Sequence, residues 1–310
     1  MPRPDTSYRS VATTRSRGLL RFLLNELPPN SREFGPEGTR PLRHQCPQHR
    51  TASARTLEPR VTVLNLTPEE RERYDRQLGP GVLSEEGQLR LKQATALVTR
   101  VGGMGGPAAQ MLAMAGVGNV IIAHGGQMIS PDLNRQVLGS ESVLGQPRAA
   151  EFAAYLRTMN RMVRVEAIDH EPDKDESNEL AARCDIILAC PPTFAERLRL
   201  NQAAVMAGIP LIDAAQWGMT GTLIVVQPGK TACLQCVYPD EPPFEELFPV
   251  VGAISCATGA LAALEAIKIL SGTGTPLFGR LLTYDGFVGR PTIVDLKRNP
   301  ACPVCANSNP

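Results

Sequence analysis

Residues 94–123 read ATALVTRVGGMGGPAAQMLAMAGVGNVIIA. Ala94 to Arg100 is an apolar run of strand length, Gly102, Gly103, Gly105 and Gly106 make a glycine-rich turn, Pro107 to Ala115 reads as a helix, and Val120 to Ala123 as a second strand. Strand, turn, helix and strand in this order form a β-α-β unit with both strands in one parallel sheet. The turn sets backbone N–H groups at a helix start, where they can face phosphate oxygens. A glycine pattern alone is a weak sign of nucleotide binding, so the rest of the chain has to weigh in.

The same alternation continues outward. Arg148 to Met159 reads as a helix, Val163 to Ile168 as a strand and Glu176 to Arg183 as a helix. Cys184 to Cys190 (CDIILAC) suits a strand buried on both faces. A helix from Phe194 to Ala207 stops at Gly208 with Pro210 beyond, and Leu211 to Ala214 is a further strand. Upstream, Thr67-Pro68-Glu69-Glu70 supplies an N-cap, a first-turn proline and a capping-box glutamate for a short helix through Tyr74. After Ala214 the rhythm changes: Thr220 to Gln227, Leu281 to Tyr284 and Thr292 to Leu296 read as strands joined by turns, with one strong helix from Ser255 to Ser271. The predicted class is α/β: a Rossmann-like, mostly parallel sheet with helices on both faces, extended by antiparallel strands. It occupies one domain over residues 61–310.

Composition agrees with a globular chain: 43% of the 310 residues are hydrophobic, 5% aromatic, and the net charge is +1. No run of eighteen uninterrupted apolar residues exists, which argues against a membrane span, and the near-zero charge argues against a nucleic-acid partner. The charge is uneven. Residues 1–60 hold eleven Arg, no Lys and five Asp or Glu, a net of +6, so the remainder carries −5. Eight prolines and little apolar periodicity mark this stretch as a disordered basic leader. It reads as a basic interaction tail, an Arg-rich transit peptide or an upstream extension absent from the natural product, and the abrupt start of ordered sequence near Val61 favours the extension. His44-Gln45-Cys46-Pro47-Gln48-His49 within it lacks a fourth ligand and is not read as a metal site.

Four of the eight cysteines form two pairs, Cys233-x-x-Cys236 and Cys302-x-x-Cys305. Two such knuckles complete a tetrahedral thiolate set for a structural Zn²⁺, here tying distant segments together. Two disulfides are the alternative. Nothing suggests export, so the expected compartment is the reducing cytoplasm, where structural disulfides are rare. Cys184 and Cys190 read as core thiols. Cys190 lies at a strand's carboxyl end, where ligands bind such sheets, and Cys256 near a helix start, where the dipole can acidify a thiol.

Arg73-Tyr74-Asp75-Arg76-Gln77 precedes the first strand, and Asp132-Leu133-Asn134-Arg135-Gln136 and Gly145-Gln146-Pro147-Arg148 follow the second. With the glycine turn and the two cysteine pairs, this ordered set resembles the ThiF/MoeB/HesA family, relatives of the ubiquitin-activating enzymes, from about Thr67 to Cys305. The resemblance implies an adenylyltransferase that uses ATP and Mg²⁺ to activate the carboxy-terminal glycine of a small ubiquitin-like sulfur-carrier protein ending in Gly-Gly. It also implies a homodimer or a heterodimer with a relative. Carried over, Gly102, Gly103, Gly105, Asp132, Arg135, Gln136 and Arg148 would bind the nucleotide. Arg135, Arg148 and, across a dimer interface, Arg76 would serve catalysis.

Several positions depart from the family pattern. Arg100 replaces the first loop glycine, although Gly103 to Ala108 restores G-x-G-x-x-A in a shifted register. His124 replaces the ribose-binding acid, Arg148 the usual lysine, and Pro192 the magnesium-binding aspartate. Proline offers no metal ligand. Val237 to Pro249 contains no cysteine where thioester-forming relatives carry one. Asp213 and Asp240 are acids that could substitute for the lost ligand, but both read more simply as solvated loop acids. Two functions follow: an adenylyltransferase with a degenerate site, or a catalytically silent member that binds a carrier or partner subunit and supplies Arg76 in trans. A nicotinamide dehydrogenase fits poorly, because the ribose-reading acid is replaced and the cysteine pairs have no role in one.

Overall fold

The computed structural model describes residues 65–242 and 249–306. The leader over 1–60, with its His44–His49 fragment, and most of the tip of the Val237–Pro249 loop lie outside the described residues. α1 (Pro68–Arg73) starts from the expected box: the Glu70 amide donates to Thr67 Oγ1 (3.2 Å) and the Thr67 amide to Glu70 Oε2 (2.6 Å). α2 (Glu85–Gln93), capped by Ser84, was not anticipated.

The glycine-turn unit forms as expected, with β1 (Thr95–Thr99), α3 (Gly105–Ala115) and β2 (Asn119–Ala123). α4 (Arg148–Met159) and β3 (Arg164–Ile168) complete the first half. α5 (Lys174–Ala182) begins earlier than expected because Asp173, not a later residue, caps it, accepting from the Glu176 amide. β4 is only Ile186–Ala189, and α6 spans Phe194–Ala207. β5 (Leu211–Trp217) outruns its expected end because it continues as one arm of a hairpin with β6 (Thr220–Val226). A four-residue α7 (Leu234–Val237), the long α8 (Gly252–Ser271), β7 (Arg280–Asp285) and β8 (Arg290–Asp295) follow.

All eight strands form one sheet in the order β3-β2-β1-β4-β5-β6-β7-β8. The first five are parallel and the last three antiparallel. The chain moves outward from β1 to β3, then returns to β4 and proceeds the other way. Right-handed crossovers then place α3 and α4 on one face and α6 on the other. The helix contacts agree: α3 packs with α4 and α8, and α5 packs with α6.

The core lies where these layers meet β1, β2 and β4, whose central residues Leu97, Val98, Ile122, Ile187 and Leu188 are fully buried or nearly so. Among the described residues α8 is the one helix long and apolar enough to cross a membrane, and it packs on β4, β5, β6 and α3. A β-carbon on Gly259 would sit 2.1 Å from the Met104 carbonyl oxygen, so only glycine lets α8 approach the start of α3 this closely. Strand order reverses between β1 and β4, which makes the crevice beyond their carboxyl ends the switch point where such sheets bind ligands.

Candidate nucleotide-type site and cysteine cluster

The glycine turn leads from β1 into α3, whose N-cap residue Met104 makes no side-chain capping bond and so leaves the first-turn amides without a side-chain acceptor. Gly105 is required because a β-carbon there would fall 2.6 Å from the Arg100 carbonyl oxygen. A β-carbon on Gly102 would come 3.2 Å from the His124 ring and 3.3 Å from the Gln136 amide. These residues belong to one network around buried Asp132. Its Oδ1 accepts from Gln136 Nε2 (2.7 Å) and an Arg135 terminal nitrogen (3.1 Å), and its Oδ2 from an Arg148 terminal nitrogen (2.8 Å). The other terminal nitrogen of Arg148 donates to His124 Nε2 (2.8 Å). The structure thus brings together Gly102, Asp132, Arg135, Gln136 and Arg148; Gly103 joins them through the Arg135 side chain, 3.3 Å from its β-carbon position.

Two polar atoms of this network are buried without a hydrogen-bond partner, Gln136 Oε1 and Arg148 Nε. Unpaired buried polar groups are costly, and their convergence here suits a polar ligand or ordered water. Burial first, then the Arg148 charge, pull the His124 imidazole down to about 3, so it is neutral.

Arg100 is the one described non-glycine residue with a left-handed backbone, φ 53°, a conformation that costs an L-residue about 1 kcal/mol. Its guanidinium grips both carboxylate oxygens of Glu196 (Nε 2.9 Å, NH2 2.6 Å) and reaches Glu171 (2.7 Å). Burial opposes charge on both sides, yet the pairing with Glu196 outweighs it, raising Arg100 and lowering Glu196. Neither glutamate was anticipated. Thr193-x-x-Glu196 is a readable helix-start pattern, and Thr193 does cap α6; nothing local points to Glu171.

Asp213 is not a solvated loop acid. It is 3% exposed and paired with buried Arg197 at 2.6 Å. Burial raises its carboxyl, with Arg197 opposing. Asp240 is exposed, as expected. Magnesium therefore does not fit here: Pro192 cannot ligate, and Asp132, Asp213, Glu171 and Glu196 are all committed to arginines. Arg76 stands apart from the network, its side chain fully exposed beside Asp75 at 3.8 Å. Cys190 and Cys184 are buried, and burial pushes each thiol up to about 12, so neither is a nucleophile. Burial also raises the Cys256 thiol above its ordinary value.

The second assembly is the cysteine cluster. The sulfurs of Cys233, Cys236, Cys302 and Cys305 lie within 4.8 Å of one another. Separations of 3.9, 3.7 and 3.4 Å for 233–236, 233–302 and 236–305 are far beyond a disulfide. They match the edges, about 3.8 Å, of a thiolate tetrahedron with zinc–sulfur bonds of about 2.3 Å. The Asn299 amide donates to Cys236 Sγ (3.4 Å), orienting one ligand from outside the set. Four protein sulfurs leave no open position, so the site can hold a structural metal and not a catalytic one.

A Rossmann-like sheet with a glycine turn, an arginine network beside that turn and a four-cysteine clip gives the chain the architecture of a nucleotide-binding α/β fold. The ThiF family model matches residues 74–304, and the chain belongs to that family. Protein HesA of Leptolyngbya boryana is 43% identical over 251 residues, 80% of this chain and 90% of its own length. The sulfur carrier protein adenylyltransferase of Thermus thermophilus is 34% identical, covering 78% of this chain and 93% of its own. The crystal structure of MccB from E. coli superposes with a TM-score of 0.69 at 22% identity, over 79% of this chain and 75% of that one, a likeness of fold.

Proposed function

We propose that this chain is an ATP-dependent adenylyltransferase that activates the carboxy-terminal glycine of a small ubiquitin-like sulfur-carrier protein ending in Gly-Gly. The observation that carries the reading is the network of Arg135 and Arg148 on Asp132 and Gln136 beside the glycine turn. In adenylation a carboxylate attacks the α-phosphorus and pyrophosphate leaves. Two arginines at a water-poor site would neutralise the charge that develops on it. Arg76, exposed and remote in its own chain, would act across a dimer of two copies or of this chain with a relative. The relatives named as adenylyltransferases, in Thermus thermophilus and as the adenylyltransferase and sulfurtransferase MOCS3 of Bos taurus, support the class. No magnesium-dependent step is assigned to this chain's residues. The cysteine clip holds Zn²⁺ as a structural ion, and the compartment is the cytoplasm.

A second reading is favoured by Pro192 and by Arg100 at the switch point: a silent subunit that binds carrier or partner and lends Arg76 in trans. ATP–pyrophosphate exchange with a Gly-Gly-ended carrier separates the two. Exchange by the chain alone, abolished by Arg135→Ala, is the expected outcome for the enzyme. Exchange only after mixing with a second family member, and lost with Arg76→Ala, establishes the silent subunit in its place.

A further inference from the structure

A single side chain closes the switch point. Arg100 leaves β1, Glu196 lies on the first turn of α6 after β4, and Glu171 follows β3. Glu171 Oε1 also accepts from the amide of Gly125, just beyond β2 (2.9 Å). One guanidinium therefore ties the exits of the four parallel strands β1 to β4. The cavity left among Thr99, Arg100, Glu171, Glu196 and their neighbours is 10 Å³, about the space of one water. Thr99 Oγ1, on a residue 3% exposed, is buried without a partner beside it.

We propose that Arg100 determines whether this site admits a nucleotide: the Arg100–Glu196–Glu171 clamp occupies the place at the strand exits that phosphates need, and releasing it opens that place. This rests on the switch point being a nucleotide seat, and not on what chemistry follows. A polyphosphate entering the closed site has to draw the guanidinium off two carboxylates and then face both of them with Arg199, which lines the same cavity near Glu196, as the remaining cation there. Two releases avoid that penalty. Arg100→Gly removes the plug at a backbone position glycine prefers, and leaves two carboxylates free for a divalent cation arriving with ATP. Glu171→Gln with Glu196→Gln removes the competing charges and frees the guanidinium to meet phosphate.

The experiment is calorimetric titration of the full chain and both variants with ATP in the presence of Mg²⁺, each variant checked for fold by thermal melting and zinc content. At least tenfold tighter binding by a folded variant than by the unaltered chain is expected. Equal affinity in the unaltered chain and both variants overturns the proposal, whether all bind or none does. Pyrophosphate exchange distinguishes this from failure of the proposed function. An unaltered chain that binds ATP as tightly as the variants and exchanges pyrophosphate removes the clamp and leaves the enzyme. A variant that gains ATP without exchange keeps the clamp and removes the enzyme.

Discussion

His124 shows how one substitution reaches beyond its own position. Arginine can only donate, so the His124 nitrogen facing Arg148 is the acceptor and the imidazole proton sits on buried Nδ1. The ring is 6% exposed and titrates at about 3 instead of the ordinary 6.5. Between those values the unfolded chain holds a proton that the folded one does not, so stability rises with pH across that window. Acidifying from pH 7.5 to 5 should cost about 2 kcal/mol through this residue alone. Urea unfolding at both pH values should give His124→Gln a pH dependence smaller by about that amount. Equal dependence in the two proteins would show that His124 is not held neutral.

At the scale of elements, the turn between α3 and β2 shows what packing demands of the backbone. Gly116 closes α3 with φ 86°. Two residues on, a β-carbon at Gly118 would lie 1.8 Å from the Lys92 carbonyl oxygen, because the turn rests on the end of α2. Backbone cannot yield as a side-chain tip can, so Gly118→Ala is expected to cost about 1–3 kcal/mol, read as a lower urea midpoint at unchanged m. A midpoint within error of the parent would mean that the α2 end moves freely. α2 escapes sequence reading because Leu89 and Leu91 are spaced by two, as in a strand, and Gly87 interrupts the helical pattern. The decisive fact is tertiary: Gly87 admits Ser271, at the end of α8, to within 3.4 Å of its β-carbon position. The parallel strands and α6 were legible because apolar runs, caps and Gly208 are local signals.

For the whole molecule, the cysteine clip fastens the segment after β6 to the carboxyl-terminal residues, 69 positions further along the chain. A closed thiolate site contributes its binding energy to folding. Elemental analysis is expected to give one zinc per chain, and Cys305→Ala, or a strong chelator, to lower the melting temperature by about 5 °C or more. Metal-free purified protein whose four thiols alkylate at the rate of free cysteine would refute the clip.

The sequence by itself determined the parallel half of the sheet, the glycine turn and the cysteine pairs, because each follows from local periodicity, backbone freedom or ligand spacing, while Arg135, Arg148 and Asp132 were singled out by the resemblance of their motifs to the family's. Only the tertiary structure decided the partners: Arg100 with Glu171 and Glu196, Asp213 with Arg197, His124 with Arg148. The order β3-β2-β1-β4 gathers residues from separate strand exits at one crevice. Charges brought there from water have to find one another, since an unpaired charge in a low-dielectric interior costs far more than any local preference can offset.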